Sequence, residues 1–299
     1  MQSVLIINGV TKSYGKIQAL NNVSFDVPEG SVFGILGPNG SGKTTLLSIV
    51  LDVLKANKGS YIWMAGEGNG EVRKKIGSLL ETPNFYHYLS AGDNLAITHA
   101  ISGRGTKEEI DVVLDKVGLL ARKKSKFNTY SLGMKQRLAI GAALLGNPKV
   151  LVLDEPTNGL DPEGIAEIRE LIKSLAKEGN TIIMASHLLD EVEKVCTHVA
   201  ILKKGTLITT GSVDEVMINE DVVELSSHDK VSLLSVLKTM TGYNAIKEEQ
   251  GLIQLTFPLG QANLSAINSY CFNNGIVLNH LRVKRKSLET KFFELTNQN

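Results

Sequence analysis

Residues 37–44 read Gly37-Pro38-Asn39-Gly40-Ser41-Gly42-Lys43-Thr44, and this stretch decides the fold. It matches in full the pattern of a phosphate-binding loop, in which glycines leave room for backbone N–H groups to converge on phosphate oxygens. Lys43 is predicted to place its positive charge on the β- and γ-phosphates, and Thr44 to offer its hydroxyl to Mg²⁺. We expect the whole loop and the following Thr45 to contact a bound nucleotide.

The segments on either side of the loop have the patterns that a nucleotide-binding loop requires. Val32–Leu36 is an apolar run that predicts a buried strand, and Lys43–Leu54 has apolar residues at helical spacing. A helix that begins at the loop points the partial positive charge of its N-terminus at a bound anion. An ordinary glycine turn is the alternative, but it would not need a strand before it and a helix after it.

Two carboxylates follow a second apolar run further along the chain. Val150–Leu153 predicts a central strand of a parallel sheet, and Asp154 and Glu155 come directly after it. Ligands of open α/β sheets bind at the carboxyl ends of the strands, so both side chains are expected beside the phosphates. We expect Asp154 to hold Mg²⁺ through water and Glu155 to polarise a water that attacks the γ-phosphate. The alternative is a strand that merely ends in acidic surface residues.

The pattern up to about residue 218 alternates strands and helices, which is typical of an α/β domain. The predicted elements are, in order, short strands before residue 32 with turns at 15 and 28–30, mostly helix over 83–145, a helix Pro162–Lys177 capped by Asp161, a strand Thr181–Ala185, and a hairpin over 199–210 that turns at 204–205.

From residue 219 the pattern changes, and it predicts a small α+β domain over 219–299. The predicted elements are, in order, strand Val222–Leu225, helix Val231–Met240, strands near Tyr243–Ile246 and Leu252–Phe257, helix Ala262–Phe272, strand Ile276–Leu281 and a closing helix from about Ser287. This order is a split β-α-β arrangement.

Composition excludes several classes of protein. The formal net charge of +1 gives no global indication of a nucleic-acid partner, so none is expected. Cys196 and Cys271 lie far apart and lack the spacing of a zinc site or a disulfide framework. Apolar stretches such as Leu138–Leu145 are far shorter than the roughly 18 to 20 residues of a spanning helix, so any membrane role is expected to come through a partner.

Four further motifs resemble those of the ABC ATPase family. Tyr130–Gln136, which reads Tyr-Ser-Leu-Gly-Met-Lys-Gln, is similar to the family's signature motif. Asn158–Asp161 resembles its D-loop, and Ser186-His187 resembles its switch histidine. Tyr14 stands where the family places an aromatic ring that stacks on adenine. The resemblance covers residues 1–218 and implies a P-loop NTPase of ABC type, with an antiparallel β subdomain, a helical subdomain over about 83–145, and the small α+β domain after it.

The resemblance also implies roles for single residues. Ser131 and Gly133 would contact the γ-phosphate of ATP held by a second ATPase domain, in a homodimer or pseudo-dimer. Lys43, Glu155 and His187 would carry catalysis, and Asp161 would belong to the ATP site. Simpler alternatives stay open: Ser131 as only a helix cap, His187 as a structural histidine, and Tyr14 as a turn residue.

The family further implies an ATPase subunit at the cytoplasmic face of the cell membrane, bound peripherally to a permease that is a separate chain. ATP and Mg²⁺ are the expected cofactors. A soluble ABC-type ATPase acting on ribosomes or nucleic acid is the alternative function. It is disfavoured because those types carry two ATPase domains or a long coiled coil. A nucleotide binder without turnover is disfavoured because Glu155 and His187 are both present.

Three positions depart from the family pattern. Leu132 replaces the usual glycine of the signature motif, and Met134 replaces a common glutamine. Glu81 replaces the glutamine that touches both Mg²⁺ and the permease, and this variant resembles the bacterial drug, bacitracin and lantibiotic-resistance exporters. Simple drift at Glu81 is the alternative.

The aromatic segment Phe85–Tyr88 follows Glu81 closely. It is expected either to contact the permease or to pack inside the helical subdomain.

Overall fold

The computed structural model describes residues 2–64, 69–81, 84–217, 220–249, 251–258, 260–284 and 292. The chain divides between Val213 and Asp214 into two compact units, which are described in turn. Residues 218 and 219, where the sequence predicts the domain boundary, lie outside the described residues.

Strands of the first unit form two sheets. In chain order they are β1 (Ser3–Tyr14), β2 (Ile17–Pro28), β3 (Val32–Leu36), β4 (Lys58–Trp63), β5 (Ile76–Leu79), β6 (Val150–Asp154), β7 (Thr181–Ser186), β8 (His198–Lys203) and β9 (Thr206–Ser212). The larger sheet has the order β5-β6-β7-β3-β8-β9, with parallel pairing from β5 to β8 and an antiparallel edge strand β9. The smaller sheet, β2-β1-β4, is antiparallel.

The three central strands of the larger sheet explain the apolar runs in the sequence. Every residue of β3, β6 and β7 is buried, because a parallel sheet covered on both faces has no solvent-facing positions. In the pairing, Leu36 lies opposite Ser186 on β7, and Asp154 lies opposite Ala185 on the same strand. The three strands therefore end at the same level, and the segments that follow them begin side by side.

The helices of the first unit are α1 (Lys43–Val50), α2 (Asn69–Lys74), α3 (Ala91–Ser102), α4 (Glu109–Lys116), α5 (Leu132–Leu144), α6 (Pro162–Lys177) and α7 (Leu189–Val195), and α8 (Val213–Met217) spans the division between the units. Within the described part of the chain, no helix combines the length and apolar character needed to cross a bilayer.

Helix starts follow the capping residues in the sequence. The side chain of Ser90 forms a capping box with Asp93 at the start of α3, and Ser131 caps α5. The predicted bounds of α6 and its Asp161 cap are confirmed. The α5 helix packs closely on β5, since a β-carbon on Gly77 would lie 2.0 Å from the Ala143 carbonyl oxygen.

The predicted helix Lys43–Leu54 is too long, since α1 ends at Val50. Asp52 has a φ of +60°, a left-handed conformation that ends the helix, and its N–H donates to the Ile49 carbonyl. The leucine at 54 keeps the apolar spacing but lies beyond this turn. The elements β4, β5, α2 and α7 were not predicted.

The second unit is a four-stranded antiparallel sheet with two helices. Its elements are β10 (Glu220–Ser227), α9 (Lys230–Thr239), β11 (Ala245–Glu249), β12 (Leu252–Pro258), α10 (Leu264–Asn273) and β13 (Leu278–Lys284), in the sheet order β11-β12-β10-β13. Leu233 and Leu237 of α9 and Ile267 of α10 pack with the apolar residues of the sheet in one core.

This topology confirms the predicted split β-α-β arrangement. The buried carboxylate of Glu224 also accepts hydrogen bonds from Gln254 and Arg282. The closing helix predicted from Ser287 falls outside the described residues, apart from Phe292.

Two isoleucines on helices of the first unit test how burial stabilises this fold. Ile140 on α5 is 0% exposed and Ile101 on α3 is 81% exposed. Ile140→Ala is expected to lower the free energy of unfolding by about 2–5 kcal/mol, because it leaves a cavity in the core. Ile101→Ala is the matched control and should change it by less than about 0.5 kcal/mol. Urea unfolding measures both, and equal losses would contradict the packing described for α5.

Candidate active site

The loop between β3 and α1 depends on glycine at both ends. A β-carbon on Gly37 would lie 2.3 Å from the Leu202 carbonyl oxygen and 2.4 Å from Ser41 Oγ. Gly42 has a φ of +104°, and a β-carbon there would lie 2.5 Å from the Ala19 carbonyl oxygen. Any side chain at either position would displace the loop, so the conformation requires these glycines.

An open pocket of about 570 Å³ lies over this loop. Its lining comprises most of the predicted nucleotide contacts together with residues of two hairpins: Ile17, Gln18, Ala19, Asn39, Gly40, Ser41, Gly42, Lys43, Thr44, Thr45, Glu155 and Lys204. The sequence reasoning missed the residues from the hairpins. The only signal for Lys204 is its place in the predicted turn at 204–205.

Tyr14 lies on the first hairpin but does not line this pocket. Its ring is 47% exposed at the end of β1, next to the turn that leads to Ile17. Lys12 Nζ lies 5.4 Å from the centre of the ring. An exposed ring beside the pocket is available for stacking on a base, which keeps the prediction for Tyr14 open.

Lys43 points back over the loop that precedes it. Its side chain is 5% exposed, and Nζ donates to the carbonyl oxygen of Gly37 at 2.8 Å. The same Nζ lies 3.4 Å from Glu155 Oε1. The Lys43 ammonium group is therefore buried between the loop and the Glu155 carboxylate, and its positive charge can attract an anion bound in this pocket.

Asp154 is a buried carboxylate with spare hydrogen-bonding capacity. It is 3% exposed, and burial raises the pKa of its carboxyl above the ordinary value. A hydrogen bond from Thr44 opposes that rise in pKa, and the charges of Glu155 and Glu81 add to it. Oδ1 of Asp154 has no hydrogen-bond partner among the described residues. A buried oxygen of this kind beside a threonine hydroxyl fits a divalent cation with oxygen ligands.

Glu81 follows β5 and lies within electrostatic reach of Asp154. Its side chain is exposed and its φ is +58°. No group of three or more His, Cys, Asp or Glu side chains arranged to hold a metal occurs in the described ranges. A cation at Asp154 would therefore need phosphate or water oxygens to complete its coordination, which is usual for Mg²⁺.

Glu155 and His187 form a direct hydrogen bond across two neighbouring strands. Glu155 Oε2 lies 2.8 Å from His187 Nδ1, and both side chains are partly buried. The N–H of Glu155 donates to the Ala185 carbonyl oxygen, which continues the pairing of β6 with β7. Glu155 has a φ of +48°, a left-handed backbone conformation that is uncommon for a residue with a side chain.

The signature-like residues lie apart from this pocket. Ser131 accepts a hydrogen bond from the Met134 N–H and so caps α5, and Gly133 lies in its first turn. Asp161 caps α6 by accepting from the Gly164 N–H at 2.8 Å. None of the three predicted ATP contacts lines the pocket over the loop, and both Ser131 and Asp161 are exposed.

The aromatic segment Phe85–Tyr88 is partly packed inside the helical subdomain and partly exposed. Phe85 and His87 pack on the buried ring of Phe127, whereas Tyr86 and Tyr88 are 50% and 67% exposed. A groove of about 470 Å³ lies beside them, lined by Asn84, Phe85, Tyr86, Asn94, Ile97, Thr98, Ile101 and Ser102.

The chain is similar to bacterial transport ATP-binding proteins. It is 37% identical to the bacitracin transport ATP-binding protein BcrA of Bacillus licheniformis, over 99% of this chain and 98% of that protein. It is 42% identical to the lantibiotic transport ATP-binding protein SrtF of Streptococcus pyogenes, over 71% of this chain and 92% of that protein. The family model for the ABC transporter matches residues 20–158.

A solved structure shares the fold of the first unit. It is the dimeric ATP-binding cassette MJ0796 in a post-hydrolysis state, bound to ADP and Pi. That structure is 28% identical with a TM-score of 0.61, and the match covers 70% of this chain and 98% of that chain. The predicted ABC-type fold is confirmed.

The similarity to BcrA extends through both compact units, so the relationship is not limited to the nucleotide-binding part of the chain. The chain belongs to the ABC transporter family, as an ATP-binding and ATP-hydrolysing transporter subunit.

Proposed function

We propose that this subunit energises the export of a drug or antimicrobial peptide through a separate membrane permease. The ATPase domain of this chain would pair with that of a second copy, and the pair would bind ATP and Mg²⁺ at two shared sites. The observation that carries the catalytic part is the contact of Lys43 and His187 with the same Glu155 carboxylate. Recovery of a permease from native membranes tests the transport part.

The proposed chemistry places Lys43 and the backbone of the loop on the phosphates of ATP. Glu155 polarises the attacking water, and its hydrogen bond to His187 fixes the carboxylate in position. Breaking that hydrogen bond would free His187 to contact the γ-phosphate. Thr44 and Asp154, with Glu81 nearby, are the residues that would hold Mg²⁺. When bound, Mg²⁺ would neutralise charge that develops on the phosphate oxygens.

Two copies are proposed because three of the predicted ATP contacts do not line the pocket over the loop. The family resemblance implies that the ATP site includes Ser131, Gly133 and Asp161. In their own chain, these residues do not line the pocket over the loop. A second copy would supply them in trans, with the Ser131 hydroxyl and the start of α5 facing the γ-phosphate. The similarity to a dimeric cassette supports this arrangement.

A permease is proposed to dock at the groove beside Tyr86 and Tyr88. Both rings are exposed, and Ile101 on the groove wall is 81% exposed, so an apolar surface is available to a partner. The proposal places the subunit on the cytoplasmic face of the cell membrane, held there by this contact.

The names of two relatives support the proposed substrate class. BcrA is named for bacitracin transport and SrtF for lantibiotic transport. The glutamate at position 81, which resembles that exporter branch, supports the same substrate class. No observation favours the alternative of an ATPase acting on ribosomes or nucleic acid.

Glu155→Gln tests the proposed base. The amide keeps the size of the side chain but loses the negative charge that polarises water, so kcat for ATP should fall by about 10²- to 10⁴-fold. Phosphate release measures the rate, and gel filtration with ATP should show an ATP-bound dimer that persists. Glu29→Gln, at an exposed carboxylate between β2 and β3, is the control and should behave as wild type. Normal turnover in Glu155→Gln would refute the assignment of the base.

Lys43→Ala tests the phosphate contact. Removing the buried ammonium should weaken ATP binding by roughly a hundredfold, or about 3 kcal/mol, because the phosphate charge loses its partner. Titration with a fluorescent ATP analogue measures the dissociation constant. Lys58→Ala, at an exposed lysine on β4, is the matched control. Unchanged affinity in Lys43→Ala would show that the loop does not bind phosphate through this residue.

Pull-down from native membranes tests the permease contact. The affinity-tagged chain should recover a hydrophobic multi-span protein, and Ile101→Glu should reduce that recovery strongly because it puts a charge in the apolar groove. Val112→Glu, at a 56% exposed residue on α4, is the control and should recover the partner normally. Recovery of ribosomes or DNA-repair proteins without a membrane protein would contradict the proposal.

A further inference from the structure

Leu132, the residue that replaces a glycine of the signature motif, contacts the D-loop-like segment of its own chain. Its side chain is 48% exposed at the first position of α5. On its inner side, Cδ2 lies 3.3 Å from the position that a β-carbon on Gly159 would occupy. Leu132 therefore fills the space over the Gly159 backbone, and a glycine at 132 would leave that space empty.

Two other observations show that the contact belongs to a longer seam between α5 and α6. A β-carbon on Gly133 would lie 4.0 Å from the Gly164 Cα atom, which is ordinary van der Waals distance. Arg137 on α5 approaches Glu167 on α6, with Nε and Oε2 3.5 Å apart. The start of α5 thus rests against residues 159–164, and Leu132 is the first residue of this helix.

The segment that Leu132 touches is connected directly to the catalytic carboxylate. The Asn158 N–H donates to the Glu155 carbonyl oxygen, and the Leu160 N–H donates to the Thr157 carbonyl oxygen. Residues 155–160 therefore form consecutive turns, and Asp161 begins α6 as its cap. A displacement of Gly159 would be passed to the backbone of Glu155 through these turns.

We propose that Leu132 is a positioning residue that fixes residues 158–161 relative to Ser131. This inference rests on the proposed function, in which Ser131 faces the ATP of a second copy and Glu155 acts on the ATP of its own copy. The Leu132 contact then keeps Ser131 and Glu155 of one chain in a constant relative position. Because the side chain is half exposed, its loss should affect turnover more than folding.

Leu132→Ala is the first test, since alanine keeps the helix start but removes the contact. We expect kcat for ATP to fall about fivefold, which corresponds to about 1 kcal/mol, with KM changed by less than about twofold. The melting temperature should stay within about 2 °C of wild type. Leu132→Met should restore most of the lost rate because its side chain reaches the same space. Val112→Ala is the control at another exposed apolar position.

A double-mutant cycle with Gly159→Ala tests the contact itself. The added methyl group would press on Leu132 Cδ2, and the φ of +75° at this position strains any side chain. The backbone strain is the same with or without Leu132, so it cancels in the cycle. We therefore expect Gly159→Ala to lower kcat by a smaller factor in the Leu132→Ala background than in wild type.

Three results would overturn the inference. The first is a wild-type kcat in Leu132→Ala, and the second is an equal effect of Gly159→Ala in both backgrounds. The third is a loss of activity that follows a fall in melting temperature and is not restored by Leu132→Met, which would assign only a structural role. In each case the wild-type chain still hydrolyses ATP. Absence of hydrolysis in the wild type would instead refute the proposed function.

Discussion

The parallel pairing of β3, β6 and β7 is the constraint on which the site depends. Leu36 lies opposite Ser186, and Asp154 opposite Ala185, so three chain segments leave the sheet at one level. The phosphate loop, Glu155 and His187 follow these strands directly. Their side chains meet because the strands end together, and the Lys43 ammonium and the His187 ring both reach the same carboxylate. A shift of one strand by a single residue would move the side chain that follows it by about 3.3 Å and separate these contacts.

Local sequence patterns predicted the elements that carry these residues, because each depends on neighbouring positions. Val32–Leu36 and Val150–Leu153 are short apolar runs, which are typical of a strand buried on both faces, and the bounds of α6 follow from its cap and its proline. The order of the strands did not follow from such patterns. Neither did the lining of the pocket by Ile17 and Lys204, because these residues are brought to the loop by tertiary structure and carry no phosphate-binding pattern of their own.

The site residues differ in how completely the sequence could define them. Lys43, Asp154 and Glu155 lie at the pocket or buried beside it, as their motifs predict. Ser131 and Asp161 serve as helix caps in the isolated chain, which is the simpler role that their sequence context also allows. The two roles are compatible, since a cap uses one lone pair of an oxygen and leaves the other free for a ligand. In the proposed pair of copies, the second role of these residues depends on another chain, which no single sequence contains.

We propose that ATP is hydrolysed at sites shared between two copies of this chain. The most direct test is the initial rate of phosphate release at saturating MgATP, measured over a wide range of protein concentration. If the sites are shared, the rate should rise with the square of protein concentration when the protein is dilute, and become proportional to it once dimers dominate. A rate strictly proportional to protein concentration throughout, at concentrations where gel filtration shows only monomers, would contradict it.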